Sequence, residues 1–109
     1  MSQIVIRDFS KQTDFDFVLF VYGVLWKLLN NPHFSSVTPT LDQLTIALDA
    51  LKQEVRKSLA GDHQAQDKTA EKRAELERMM KALADDLEKT AAGDRAKLAT
   101  SGFDLLASD

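Results

Sequence analysis

The chain has no cysteine, only two prolines and four glycines among its 109 residues, and aromatic side chains at 7% of the total. Without cysteine there is neither a disulfide framework nor thiolate chemistry, a composition that fits a reducing compartment. So few chain breakers leave little room for turns, which favours helices joined by short connections over a many-stranded β fold. An excess of positive charge is also missing. Fourteen Lys and Arg against seventeen Asp and Glu give a formal net charge of −3, so electrostatics offers no reason to expect nucleic acid or an anionic membrane as the partner. The length suits one domain that can bury a core without a metal or disulfide staple.

Long apolar runs are scarce as well. The longest is Phe17 to Leu29, FVLFVYGVLWKLL, interrupted by one glycine and one lysine. A membrane span needs about 20 apolar residues, whereas this run is preceded closely by Asp14 and Asp16 and followed by Asn30, Asn31 and Pro32. A secretory signal would want a net cationic start, but Arg7 and Lys11 are offset by Asp8, Asp14 and Asp16. The expectation is a soluble, cytoplasmic protein with no membrane partner.

What is present is organised around that run. On a wheel of about 100° per residue, Asp16, Gly23, Lys27 and Asn30 fall into one stripe roughly 60° wide, and the remaining positions are apolar. Such a helix needs cover on nearly every side, because burying one Val, Leu, Ile or Phe is worth about 1.5–3 kcal/mol. An aspartate in place of Leu25 is accordingly expected to unfold the chain.

Helix 1 is predicted to start at Thr13 or Asp14, where a short polar side chain caps the first turn, and to end before Asn30-Asn31-Pro32. Before it, residues 1–12 form an extended N-terminal arm whose Ile4-Val5-Ile6 is strand-like in propensity but has no evident strand to pair with. Two readings of the arm stay open: it lays Ile4, Ile6 and Phe9 over the flank of helix 1, or it is exchanged with a second chain.

Residues 31–39 read as a loop with Phe34 plugging the bundle end. Thr38-Pro39 and the capping box Thr40 to Gln43 start helix 2 near residue 39 or 41. Its apolar face is Leu41, Leu44, Leu48, Leu51, Val55 and Leu59. Ala60-Gly61-Asp62 stops it and caps helix 3, and the same device recurs at Ala92-Gly93-Asp94. Helix 3 spans about 63 to 92. Its second half carries Leu76, Met80, Leu83 and Leu87, while its first half offers only Ala65, Ala70 and Ala74. A short fourth helix runs to about Thr100 with Leu98 inward. Phe103, Leu105 and Leu106 follow to cover the core, and residues 107–109 are expected to be loose. The predicted fold class is thus all-α: an up-and-down bundle of three main helices over residues 13–106, plus the short fourth.

Asn31-Pro32-His33-Phe34, the Pro39-Thr40 start, Gly61-Asp62, Arg73, Gly93-Asp94 and Ser101-Gly102-Phe103, in this order, resemble a family of short bacterial helical domains of unassigned activity, found in other proteins beside fibronectin type III modules. The resemblance covers roughly residues 25–105. It implies a helical bundle with a structural or adaptor role, and carries over no catalytic residues. The chain departs from that pattern at Asp85-Asp86-Leu87-Glu88-Lys89, where helix 3 ends more charged than the family's apolar stretch.

No constellation for catalysis stands out. His63 and Asp67 share an i, i+4 face, but two ligands do not make a metal site, and neither HExxH nor cysteine is present. Gly61 and Gly93 stand alone, so there is no phosphate loop. Lys68, Lys72, Arg73, Arg78 and Lys81 are interleaved with Glu71, Glu75 and Glu77 and lack a stacking aromatic. Glu77 with Lys81 and Asp85 with Lys89 read as surface pairs. No catalytic residue, cofactor or metal is therefore expected.

The sequence points instead to a structural or interaction module that self-associates, as a homodimer, through the excess apolar face of helix 1. The candidate interface is Ile4, Ile6, Phe9, Phe17, Val18, Tyr22, Leu25, Trp26 and Leu29. Two alternatives remain: a binding module for an apolar ligand or a partner's amphipathic helix, and an accessory component of a bacterial surface or phage assembly, the latter suggested by the resemblance.

Overall fold

A computed structural model describes residues 4–107. It contains four helices: α1 (Asp14–Leu28), α2 (Leu41–Leu59), α3 (His63–Ala91) and α4 (Arg95–Ala99). Among the described residues there is no strand, and the architecture is the all-α bundle of three long helices and a short fourth. Residues 1–3 of the arm, and 108 and 109 of the terminus expected to be loose, lie outside the described residues.

Each helix begins where a short polar side chain satisfies the free amides of its first turn. Thr13 Oγ1 accepts from the Asp16 amide at 3.1 Å, and Asp62 from those of Gln64 and Ala65. Asp94 does the same for Ala96 and Lys97. Thr40 and Gln43 form the full reciprocal capping box at the head of α2. The two glycine corners, alike in sequence, differ in structure. At the first, Ala60 keeps a right-handed φ of −82° and Gly61 alone turns left-handed. At the second, both Ala92 (φ 51°) and Gly93 (φ 88°) are left-handed. An alanine there carries a Cβ penalty that glycine avoids, so Ala92→Gly is expected to stabilise the chain by about 0.5–1 kcal/mol, read as a higher urea midpoint at unchanged slope.

The three-residue corner at 60–62 folds α2 back along α3, and these two form the most extensive helix pair, with α1 packed on α2. One core joins Val5 and Phe9 of the arm, Phe17, Val21, Val24 and Leu28 of α1, Phe34 of the loop, Leu44, Leu48 and Leu51 of α2, Leu76, Met80, Leu83 and Leu87 of α3, then Leu98 and Phe103. Leu59, expected to face inward, protrudes from the last turn of α2. In the first half of α3 only Ala65 of the three alanines is buried. Thr69, one turn on, is buried beside it and donates its hydroxyl to the Ala65 carbonyl at 2.6 Å.

Phe9 of the arm packs on Phe17 and Phe20 of α1, as expected, but residues 4–6 are placed differently. Ile6 N donates to Asp104 O at 2.9 Å and Leu106 N to Ile4 O at 2.7 Å, around an antiparallel bridge between Val5 and Leu105. The missing strand partner is thus the chain's own C-terminal segment, and the pairing lies against the end of α3 rather than over an open flank of α1. Val5 points into the core, which leaves Ile4 and Ile6 half-buried. The charged end of α3 anchors this pair. Glu88 accepts from the Ile4 and Val5 amides and from Arg7, which also reaches Asp85 at 2.7 Å. Asp85 therefore pairs with Arg7 and not Lys89, as Glu77 pairs with Arg73 and not Lys81.

Burial works against the charged form of Glu88, but the Ile4 amide, the Arg7 guanidinium and the Val5 amide together hold its carboxyl below the usual value of 4.5. A carboxyl depressed by folding contributes stability that is complete above its ordinary value and is lost as pH falls through the folded one. Acidification below about pH 4 is expected to raise amide exchange over residues 4–9, before α2 and α3 open. In Glu88→Gln that acid-dependent step should be absent.

The far end of α1 is fixed by a second polar corner. Asn31 Nδ2 donates to Lys27 O and to Thr100 Oγ1 at 3.0 Å, while its Oδ1 accepts the His33 amide at 2.9 Å. Ser101 Oγ donates to Leu98 O, and Gly102 lies so close to α1 that a Cβ there would stand 3.2 Å from Val24 Cα. Asn31-Pro32-His33-Phe34 and Ser101-Gly102-Phe103 thus meet at one joint between α1 and α4, serving packing.

Candidate interaction surface

The Cα envelope measures 45 × 29 × 17 Å. Packed helix axes sit about 8–10 Å apart, so the thin dimension holds two helical layers and cannot enclose a helix from both sides. Helix α1 lies in an outer layer. One side of it, Phe17, Val21, Val24 and Leu28, is buried. The polar stripe is partly covered by the Gly102 joint, where Gly23 O and the Lys27 Cγ come within 3.4 Å of a Cβ position. On the remaining side Phe15 (64% exposed), Leu19 (52%), Tyr22 (58%), Trp26 (67%) and Leu29 (56%) face outward. The spacing 4, 3, 4, 3 lines them along a single stripe about 21 Å long, the repeat of a coiled-coil seam. Cover on nearly every side of α1 is therefore not supplied by the described chain itself.

The nine candidate interface residues separate into three groups. Phe17 and Phe9 belong to the core, their rings 5.5 Å apart and both within 6.5 Å of Phe20, and so are closed to a partner. Ile4 and Ile6 belong with the arm beside α3, and Val18 is half-buried at the edge of α1. Tyr22, Leu25, Trp26 and Leu29 come together. With Leu41, Asp42, Thr45, Leu48, Asp49 and Lys52 of α2 they line an open groove of about 260 Å³. Sequence reasoning did not single out Phe15 and Leu19, although their 4-3 spacing to Tyr22 and Trp26 was there to be read. Nor did it find Asp42 and Lys52 as groove walls. A second depression of about 620 Å³ between the end of α1 and the 31–40 loop shares Leu29 and Leu41 with the first and adjoins it.

Elsewhere, Arg73 gathers a polar cluster within the chain. Arg73 donates to Asp14 Oδ1 at 2.8 Å and to Phe9 O at 2.7 Å, lies 3.5 Å from Glu77 and covers the Phe17 ring at 4.9 Å. His33, His63 and Asp67 are exposed. Among the described residues no three His, Cys, Asp or Glu side chains converge as metal ligands, and no helix is long and apolar enough to cross a membrane. Set against protein-family models, curated proteins and solved structures, the chain matches none of them.

Proposed function

We propose that this chain is a non-enzymatic interaction module that self-associates through the outer face of α1. The observation that carries the reading is the run Phe15, Leu19, Tyr22, Trp26 and Leu29, all more than half exposed on one line while the opposite side of the same helix is fully packed. Contiguous apolar surface of this extent on a single chain marks an association site. Its linear form suits a helix better than a small molecule: ligand sites enclose most of their occupant, whereas the depressions beside this stripe are open. The cysteine-free composition fits a cytoplasmic setting, and the resemblance to short bacterial helical domains points to the same structural class of role.

Trp26 is the only tryptophan, so its emission reports directly on the surface. Light scattering at micromolar concentration is expected to give twice the 12.2 kDa chain mass, with Trp26 emission moving to longer wavelength as dilution separates the copies. Tyr22→Ser together with Leu29→Ser should give a folded monomer. A wild-type monomer with concentration-independent emission would overturn the reading.

A further inference from the structure

The flank beside the stripe constrains how a second copy would sit, an arrangement that rests on the self-association proposed above. We infer that the occupant of the α1–α2 groove is a second copy of this chain laid antiparallel, about a two-fold axis crossing the middle of that groove, with Asp42 of each copy facing Lys52 of the other.

The available area suits a second copy. Aromatic side chains bury about 150–250 Å² each when covered, so three aromatics and two leucines at these exposures offer on the order of 600 Å² per chain. The groove walls add to this, bringing the pair to the lower part of the standard interface range of about 1,200–2,000 Å² in total. Because the surface would meet itself, the contact closes after two copies.

Orientation follows from where α2 stands. Leu25 faces α2 across the groove, so α2 flanks the stripe on one side only. When two such helices pair in parallel, unlike flanks meet: the two α2 helices fall on opposite sides and the helix dipoles align. Antiparallel pairing brings like flanks together, which sets the two α2 helices side by side and opposes the dipoles. Asp42 and Lys52 lie ten residues apart on α2, about 15 Å, at opposite ends of the groove. Among the described residues neither takes part in an ion pair. A two-fold axis between them brings the acid of each copy to the base of the other, twice over. Such rim pairs choose the orientation, while the apolar stripe supplies the affinity.

Charge reversal tests this without touching the core. Asp42→Lys alone and Lys52→Asp alone are each expected to raise the homodimer dissociation constant about tenfold, because both contacts between positions 42 and 52 become like-charged. Mixed in equal amounts, the two variants should form a heterodimer with close to wild-type affinity, both contacts between positions 42 and 52 being complementary again. Thermal unfolding of each variant checks that both remain folded, and the reversal of both positions in one chain should restore the homodimer. If wild type dimerises but the mixture shows no preference for the heterodimer, the antiparallel arrangement is wrong and the association reading stands. If wild type stays monomeric at all concentrations, or carries an apolar molecule in native mass spectrometry as a monomer, both fall.

Discussion

Phe17→Ala is expected to destabilise the chain by about 3–5 kcal/mol, while Trp26→Ala, nine residues along the same helix, should change the stability of the isolated chain by about 0.5 kcal/mol or less. The two positions hold side chains of similar class in the same apolar run and differ in what surrounds them. Phe17 is fully buried between Phe9 and Phe20, with the Arg73 guanidinium over its face. Removing its ring leaves a cavity that three neighbouring elements cannot collapse into. Trp26 is 67% exposed, so its truncation opens no cavity. Urea unfolding under conditions that keep the chain monomeric measures both. Equal losses at the two positions would mean that α1 buries its other side. An aspartate at Leu25, on the half-buried groove wall, should fall between these extremes.

Loss of Arg73 comes next in size, with Arg73→Ala expected to cost about 2–3 kcal/mol. This one side chain joins α3 to the start of α1 and to the arm, through Asp14 and the carbonyl of Phe9. Its removal leaves that carbonyl without its donor and uncovers the Phe17 ring. Lysine should recover only part of the loss, since a single ammonium cannot reproduce the planar fork that serves both acceptors. Denaturant midpoints of the three proteins give the order. Because Arg73 and Phe17 touch, the double variant should lose less than the sum of the single losses.

Much of the fold was legible because the signals are local. Thr13, Thr40, Asp62 and Asp94 cap the helices that follow them, and a capping hydrogen bond needs only three or four consecutive residues to be recognised. Two features were not legible, for different reasons. The arm pairs with residues 104–106, about a hundred positions away, and a single bridge leaves no alternation long enough to read as a strand. Its anchor, Glu88, stands in the charged run Asp85-Asp86-Leu87-Glu88-Lys89 with no local sign of that role. The open side of α1 was hidden by the helix's own composition, since an apolar circumference gives no period from which to tell core from surface. The one polar stripe would even have misdirected the choice, because the chain lays Gly102 across the Gly23 and Lys27 side and leaves the aromatic side bare.

The bridge between Val5 and Leu105 also sets residues 4–6 and 104–106 side by side. With Leu106 hydrogen-bonded to Ile4, a short linker between residues 4 and 106 would disturb no helix, and the exposed Gly61 corner would then serve as the new opening. A host polypeptide could likewise receive the whole bundle inside one of its own surface loops, entering and leaving at neighbouring points.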